Sequence, residues 1–243
     1  MLLNKNTVLP AAPAAKPVQY ALKALRRDFD RVFSATEAPG GRVLLNVNDT
    51  LAAEQYVLTA GADTLLLSAA DDLGFVYGLF EISRRYLGVQ PFWFWNDQPL
   101  ESREDAAIAA GTVVESKPYK VKYRGWFVND ETLLSHWKVE RRSDLPFIMA
   151  FEALLRLGGN MVIPGTGKNG LLYRQTAADM GLIITHHHAE PLGAEMFAQA
   201  YPDLEPMYSK YPEKFRALWQ AGIDAQKGKS VRSEEHTSEL QSQ

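Results

Sequence analysis

The sequence has 243 residues, of which 46% are hydrophobic and 23% charged, a soluble globular balance with room for one large domain or two modest ones. A net charge of -3 offers no basic field to gather phosphates, which argues against nucleic acid as a partner, and no stretch approaches the ~20 apolar residues of a membrane helix. Having no cysteine removes disulfides, thiolate nucleophiles and cysteine-ligated zinc together, while leaving the compartment open.

From Met1 to Pro17 a single lysine precedes a weak apolar run at Thr7 to Leu9. That run is too short for a signal-peptide core, so no secretion signal is read and the default address is cytoplasmic. Between Val18 and Phe33 the residues Tyr20, Leu22, Leu25, Phe29 and Val32 recur at three- and four-residue steps, which predicts an amphipathic helix. Pro39, Gly40 and Gly41 end it, and Arg42 to Val47 reads as a strand. Gln55 to Thr59 and Thr64 to Ser68 read as a hairpin-like pair turning through Gly61. Asp71 is placed to cap a helix that carries Leu73, Val76, Tyr77 and Phe80 and stops at Gly88. The aromatic run Phe92 to Trp95 follows a helix end, and packing is the reading preferred there over sugar stacking. Glu101 to Pro118 reads as a connection with one strand, and a domain boundary is expected near Tyr119, separating an α/β domain at 1–118 from a second domain at 119–231.

After that boundary the pattern alternates. Tyr123 to Asp130 is a strand with a polar end, Asp144 to Leu157 a helix, Asn160 to Pro164 a strand, Leu171 to Met180 a helix and Gly181 to His188 a strand, with a further helix at Pro212 to Lys227. Strands alternating with helices predict a parallel α/β fold. The last residues, 232–243, resemble the translation of a sequencing-library adapter and are set aside from fold reasoning, with the expectation that the reading frame stops where the source DNA stopped.

In a (β/α)8 barrel or an open parallel sheet, working residues collect at the C-terminal strand ends. Three strands end suggestively, at Asn129, Asp130 and Glu131, at Gly165 to Gly167, and at His186 to Glu190. Carboxylates and histidines on one rim can supply general acids, general bases and hydrogen bonds to sugar hydroxyls. Each has a plainer alternative. Asp130 and Glu131 fit the cap and first turn of a following helix. If the third strand runs to His188, then His186 and His188 share one face and His187 takes the other. The histidines with Glu190 allow a metal-dependent hydrolase, although no metal or cofactor is assigned. Gly165 to Gly170 lacks the full phosphate-loop spacing and reads as a loop.

Four stretches resemble glycoside hydrolase family 115, the xylan α-glucuronidases, in family order: Leu73 to Ser83, Tyr123 to Glu131, Phe151 to Asn160 and Gly181 to Pro191. The resemblance implies an N-terminal α/β accessory domain followed by a TIM (β/α)8 barrel of which only the first three or so βα units are present. It implies an exo-acting, inverting glycosidase that releases 4-O-methyl-glucuronic acid from xylan-type side chains, so that the partner is a uronic-acid-bearing carbohydrate. By the same resemblance Asn129, Asp130 and Glu131 line the uronic-acid pocket and the family's His-His-Glu-Pro motif falls on His188 to Pro191; within that pocket Asp130 is assigned as the catalytic carboxylate and Asn129, Glu131, His188 and Glu190 as holding the sugar. The second catalytic carboxyl would lie on later strands, which leaves the fragment itself inactive. Two departures bear on substrate. Ala189 stands where the family's His-His-Glu-Pro motif has its second histidine, and Val162 to Thr166 replaces a tryptophan-rich run. A non-catalytic sugar-binding protein is the rival from a different functional class.

Overall fold

The computed structural model describes residues 1–11, 15–134 and 136–232. The adapter-like tail therefore lies outside the described residues, apart from Arg232. In chain order the elements are β1 (Leu2–Asn4), α1 (Lys16–Val32), β2 (Arg42–Val47), β3 (Tyr56–Ala60), β4 (Thr64–Ala69), α2 (Asp72–Ile82), β5 (Asp105–Ala107), β6 (Val113–Glu115) and β7 (Gly125–Phe127). They continue with α3 (Leu145–Arg156), β8 (Met161–Ile163), α4 (Gly167–Asp179), β9 (Ile183–Ile184), α5 (Phe197–Ala200) and α6 (Pro212–Ala225). Two compact units emerge, one of Met1–Lys122 with Glu152–Gly159, the other of Tyr123–Phe151 with the chain from Asn160 onward.

In the first unit a four-stranded sheet has the order β2-β4-β3-β6. β2 runs parallel to β4, and β3 is antiparallel to both β4 and β6. The hairpin-like pair of the sequence is thus β3 and β4. β1 pairs separately with β5, a strand too short for periodicity to reveal and with its partner far along the chain. α1 buries Val18, Leu22, Leu25, Phe29 and Val32 on one stripe, while α2 is buried almost all round from Gly74 to Ile82. The difference follows from position, because α2 packs on β3 and β4 and also on α1, so it has two faces to fill. Asp71 caps α2, its Oδ1 accepting from the Gly74 N–H at 2.8 Å. The last turn, Ser83–Leu87, widens to a π-helix before Gly88 stops it at φ 77°, a left-handed conformation open to glycine at little cost.

The same unit holds a buried ionic cluster. Arg156 donates to Asp28 at 2.5 Å and to Glu152 at 2.8 Å. Arg27 donates to Glu152 at 2.6 Å, and Ser83 Oγ donates to Asp28 at 2.5 Å. Trp93 completes it, its Nε1 donating to Glu152 at 3.3 Å and its ring lying under the Arg27 and Arg31 guanidiniums. At Trp93 the aromatic run therefore serves packing.

In the second unit β7, β8 and β9 form one parallel sheet, with Gly125 opposite Met161 and Met161 opposite Ile183. The Phe147 ring of α3 stacks on Tyr173 of α4 at 3.9 Å. β9 is shorter than the predicted strand, stopping at Ile184. Thr185 still donates to Val162 O at 3.0 Å, but the chain then turns, with Glu190 N–H donating to His187 O at 2.9 Å. Beyond α6 the chain returns to this sheet. Ile184 forms a parallel bridge with Val231, flanked by hydrogen bonds to Ser230 and Arg232 at 2.8 Å. At Ile184 the outer edge of β9 is therefore paired.

Candidate active site

Each strand of the parallel sheet delivers a loop to the first turn of α4. After β7, Val128 is still held by the sheet, its N–H donating to Ile163 O at 3.0 Å, and Asp130 follows with 1% of its surface exposed. Asp130 Oδ1 accepts from the Thr166 N–H at 2.7 Å and from Thr166 Oγ1 at 2.9 Å, while Oδ2 accepts from the Asn169 side-chain amide. After β9, Glu190, 2% exposed, accepts from the Gly167 N–H at 2.5 Å. Thr166 sits at the N-cap position of α4 without a side-chain cap bond, and Gly167 opens the helix at φ 53°.

The first N–H groups of a helix have no partner inside it and carry a partial positive charge. Here two carboxylates, from the ends of the two strands that flank β8, accept from the Thr166 and Gly167 N–H groups. The stretch Gly165 to Gly170, read from sequence as a loop, is therefore in part the opening turn of a helix. Its glycines admit carboxylates of this chain.

Burial pushes the Glu190 carboxyl up to about 7, helped by the negative charge of Asp130, although the Gly167 N–H and Arg174 pull it down. Burial likewise lowers Arg174 below the usual guanidinium range, with Glu190 opposing that shift. A carboxyl that titrates near neutrality can give or take a proton at low cost, as general acid–base chemistry requires.

The remaining predicted site residues stand differently. Asn129, Glu131 and His188 are exposed around the buried pair. His188 lies against His187, ring centroids 4.1 Å apart, and His187 lies 5.3 Å from Phe127. His186 faces Gln226 at 3.1 Å. The expected alternation of faces along His186–His188 does not hold, because these residues follow the end of β9 and strand periodicity no longer governs them. Among the described residues no group of three or more histidine, aspartate or glutamate side chains could hold a metal ion. Sequence reasoning missed Thr166, Gly167 and Asn169. The available signal was a threonine at an N-cap position, although its hydroxyl donates to Asp130 and makes no cap bond.

Residues 116–233 match the family model of glycosyl hydrolase family 115. No curated protein matches the chain. Among solved structures the chain is similar to a family GH115 4-O-methyl-α-glucuronidase with specificity for decorated arabinogalactans, at 21% identity and a TM-score of 0.73, covering 95% of this chain and 35% of that one. It is also similar to a GH20 exo-β-N-acetylglucosaminidase from Vibrio harveyi, at 12% identity and a TM-score of 0.52, covering 83% and 36%. A third likeness is to a GH138 enzyme targeting pectin rhamnogalacturonan II, at 12% identity and a TM-score of 0.51, covering 94% and 30%. At these identities the likeness concerns the fold, a mixed α/β architecture with several sheets shared with a family-115 enzyme. The chain spans about a third of the length of these relatives. By its sequence match, the segment 116–233 belongs to glycosyl hydrolase family 115.

Proposed function

We propose that this chain is part of a longer exo-acting glycosidase of the α-glucuronidase type, which removes a uronic acid with inversion from xylan-type or related polysaccharide side chains. In this reading residues 1–118 are an accessory domain and 119–231 the first βα units of a (β/α)8 barrel. The observation that carries it is the convergence of Asp130 and Glu190, from two parallel strand ends, on the start of α4. Strand-end convergence is where barrel enzymes do their chemistry. The parallel bridge at Val231 is what the start of a fourth strand would give.

Inversion needs one carboxyl to protonate the leaving oxygen and another to activate water from the opposite face. Asp130 is assigned as one of them. Asn129, Glu131, His188 and Glu190 are assigned to the sugar, and the second catalytic carboxyl to a strand after Val231. The expected outcome is release of α-linked uronic acid as the β-anomer by the longer protein, seen by proton NMR, and none by the 243-residue chain. Asp130→Asn and Asp130→Ala lower kcat by about 10²- to 10⁴-fold. Release of the α-anomer, turnover by the 243-residue chain, or unchanged kcat in both variants contradicts the proposal.

One observation favours a second reading, a protein that binds sugar without cleaving it. Asp130 is 1% exposed and both its oxygens already accept hydrogen bonds from Thr166 and Asn169, so it can serve purely to position the loop. Oligosaccharide binding by calorimetry with no hydrolysis in the longer protein selects that reading.

A further inference from the structure

A cavity of about 410 Å³ is lined by α4, α6 and the segment after β9 that carries Gly193 and Glu195, a volume within the range of small-molecule sites. One side is apolar, formed by Leu171, Leu218 and Ala221. Three charged residues also line it: Arg174, Lys229 and Glu195. Arg174 is the unusual member, because it is 4% exposed and belongs to a residue type seldom buried unless paired. Its Nη2 donates to Gly193 O at 2.7 Å, while its Nε has no hydrogen-bond partner among the described residues. The carboxylate acting on it is that of Glu190, which is already bonded to the Gly167 N–H. A buried guanidinium with an unused N–H is costly until an anion receives it, and its planar fork suits a carboxylate.

We propose that this cavity is a binding site for a small organic monocarboxylate with an apolar body. The ligand's carboxylate bonds to Arg174, with Lys229 adding attraction, and its apolar part lies on Leu171 and Leu218. Glu195 in the same wall repels a second negative charge, which selects monoanions over dianions. The ligand is not a sugar and lies on the α4 and α6 side of the second unit, although Arg174 also acts on the Glu190 carboxylate.

The test uses 4-phenylbutyrate as probe, with its neutral amide and the dianion phenylsuccinate as controls, followed by saturation-transfer NMR on the full 243-residue chain. Phenylbutyrate is expected to bind with a Kd of about 1 mM or below, and the two controls at least about fivefold more weakly. Arg174→Gln should weaken phenylbutyrate about tenfold with the circular dichroism spectrum retained. Ala221→Phe, at an exposed helix position, should occlude the cavity and abolish the signal while Arg174 stays in place. The second variant decides the matter if the first does not fold. No binding at about 10 mM, equal binding of acid and amide, or unchanged binding in Ala221→Phe overturns the proposal.

Discussion

Glu190 shows how burial can leave a carboxylate poised for titration. With its folded-state carboxyl at about 7 against a usual 4.5, Glu190 binds its proton more tightly when folded than when unfolded. Its contribution is therefore favourable below about pH 4.5 and is lost as pH rises through 7. That loss is roughly 1–3 kcal/mol, discounted for solvent screening. Urea unfolding should find the chain more stable at pH 5 than at pH 8 through this group, and Glu190→Gln should flatten the difference. An equal pH slope in the variant would show that other groups set it. Asp130→Ala leaves the Thr166 N–H and the Asn169 amide without their acceptor in a buried place. The expected cost is about 2–4 kcal/mol in chemical denaturation, and a value below about 0.5 kcal/mol would mean that water replaces the carboxylate there.

At the scale of elements, ends matter more than middles. Asp71 holds two backbone donors, Gly74 at 2.8 Å and Glu54 at 2.9 Å, and so ties the start of α2 to the turn before β3. Asp71→Ala should cost about 1–2 kcal/mol, read as a lowered urea midpoint with an unchanged slope. A change in slope would instead indicate that the variant alters the denatured state. The capping pattern at Asp71, the stripe of α1 and the span of β2 were all legible in the sequence, because each is a local regularity of spacing or residue type. The ends of β9 and α4 were not. Gly181 to His188 reads as one strand, yet β9 ends at Ile184, and α4 begins at Gly167 in what the glycines suggest is a loop. In both places the boundary is set by carboxylates and carbonyls from other segments, which local pattern cannot supply.

Across the whole molecule, the least expected feature is the charged cluster inside the first unit. Arg156 and Asp28 have side chains only 2% and 1% exposed, and burial by itself would raise the Glu152 carboxyl. Arg156 and Arg27 outweigh burial and hold it at about 2. Its folded value lies below the unfolded one, so unfolding takes up a proton between about pH 4.5 and 2, and stability present above that window is lost as pH falls through it. Arg156→Met should cost about 3–5 kcal/mol at neutral pH, because two carboxylates are left buried with less than their full pairing. The variant should also lose much of the acid sensitivity, measured by thermal unfolding at pH 3 and pH 7. A variant as stable as the parent would mean that the cluster contributes no net stability.

The sequence by itself determined the alternation of strands and helices and the family-115 motifs. Each depends on residue type and spacing, and such properties survive without knowledge of contacts. Only the tertiary structure decided that Asp130 and Glu190 meet at the start of α4, that His186 turns to Gln226 while His187 and His188 lie together, and that Arg156 unites Asp28 with Glu152. Apart from the adjacent histidines and the Arg156–Glu152 pair, these are meetings of residues distant along the chain, which local spacing cannot specify.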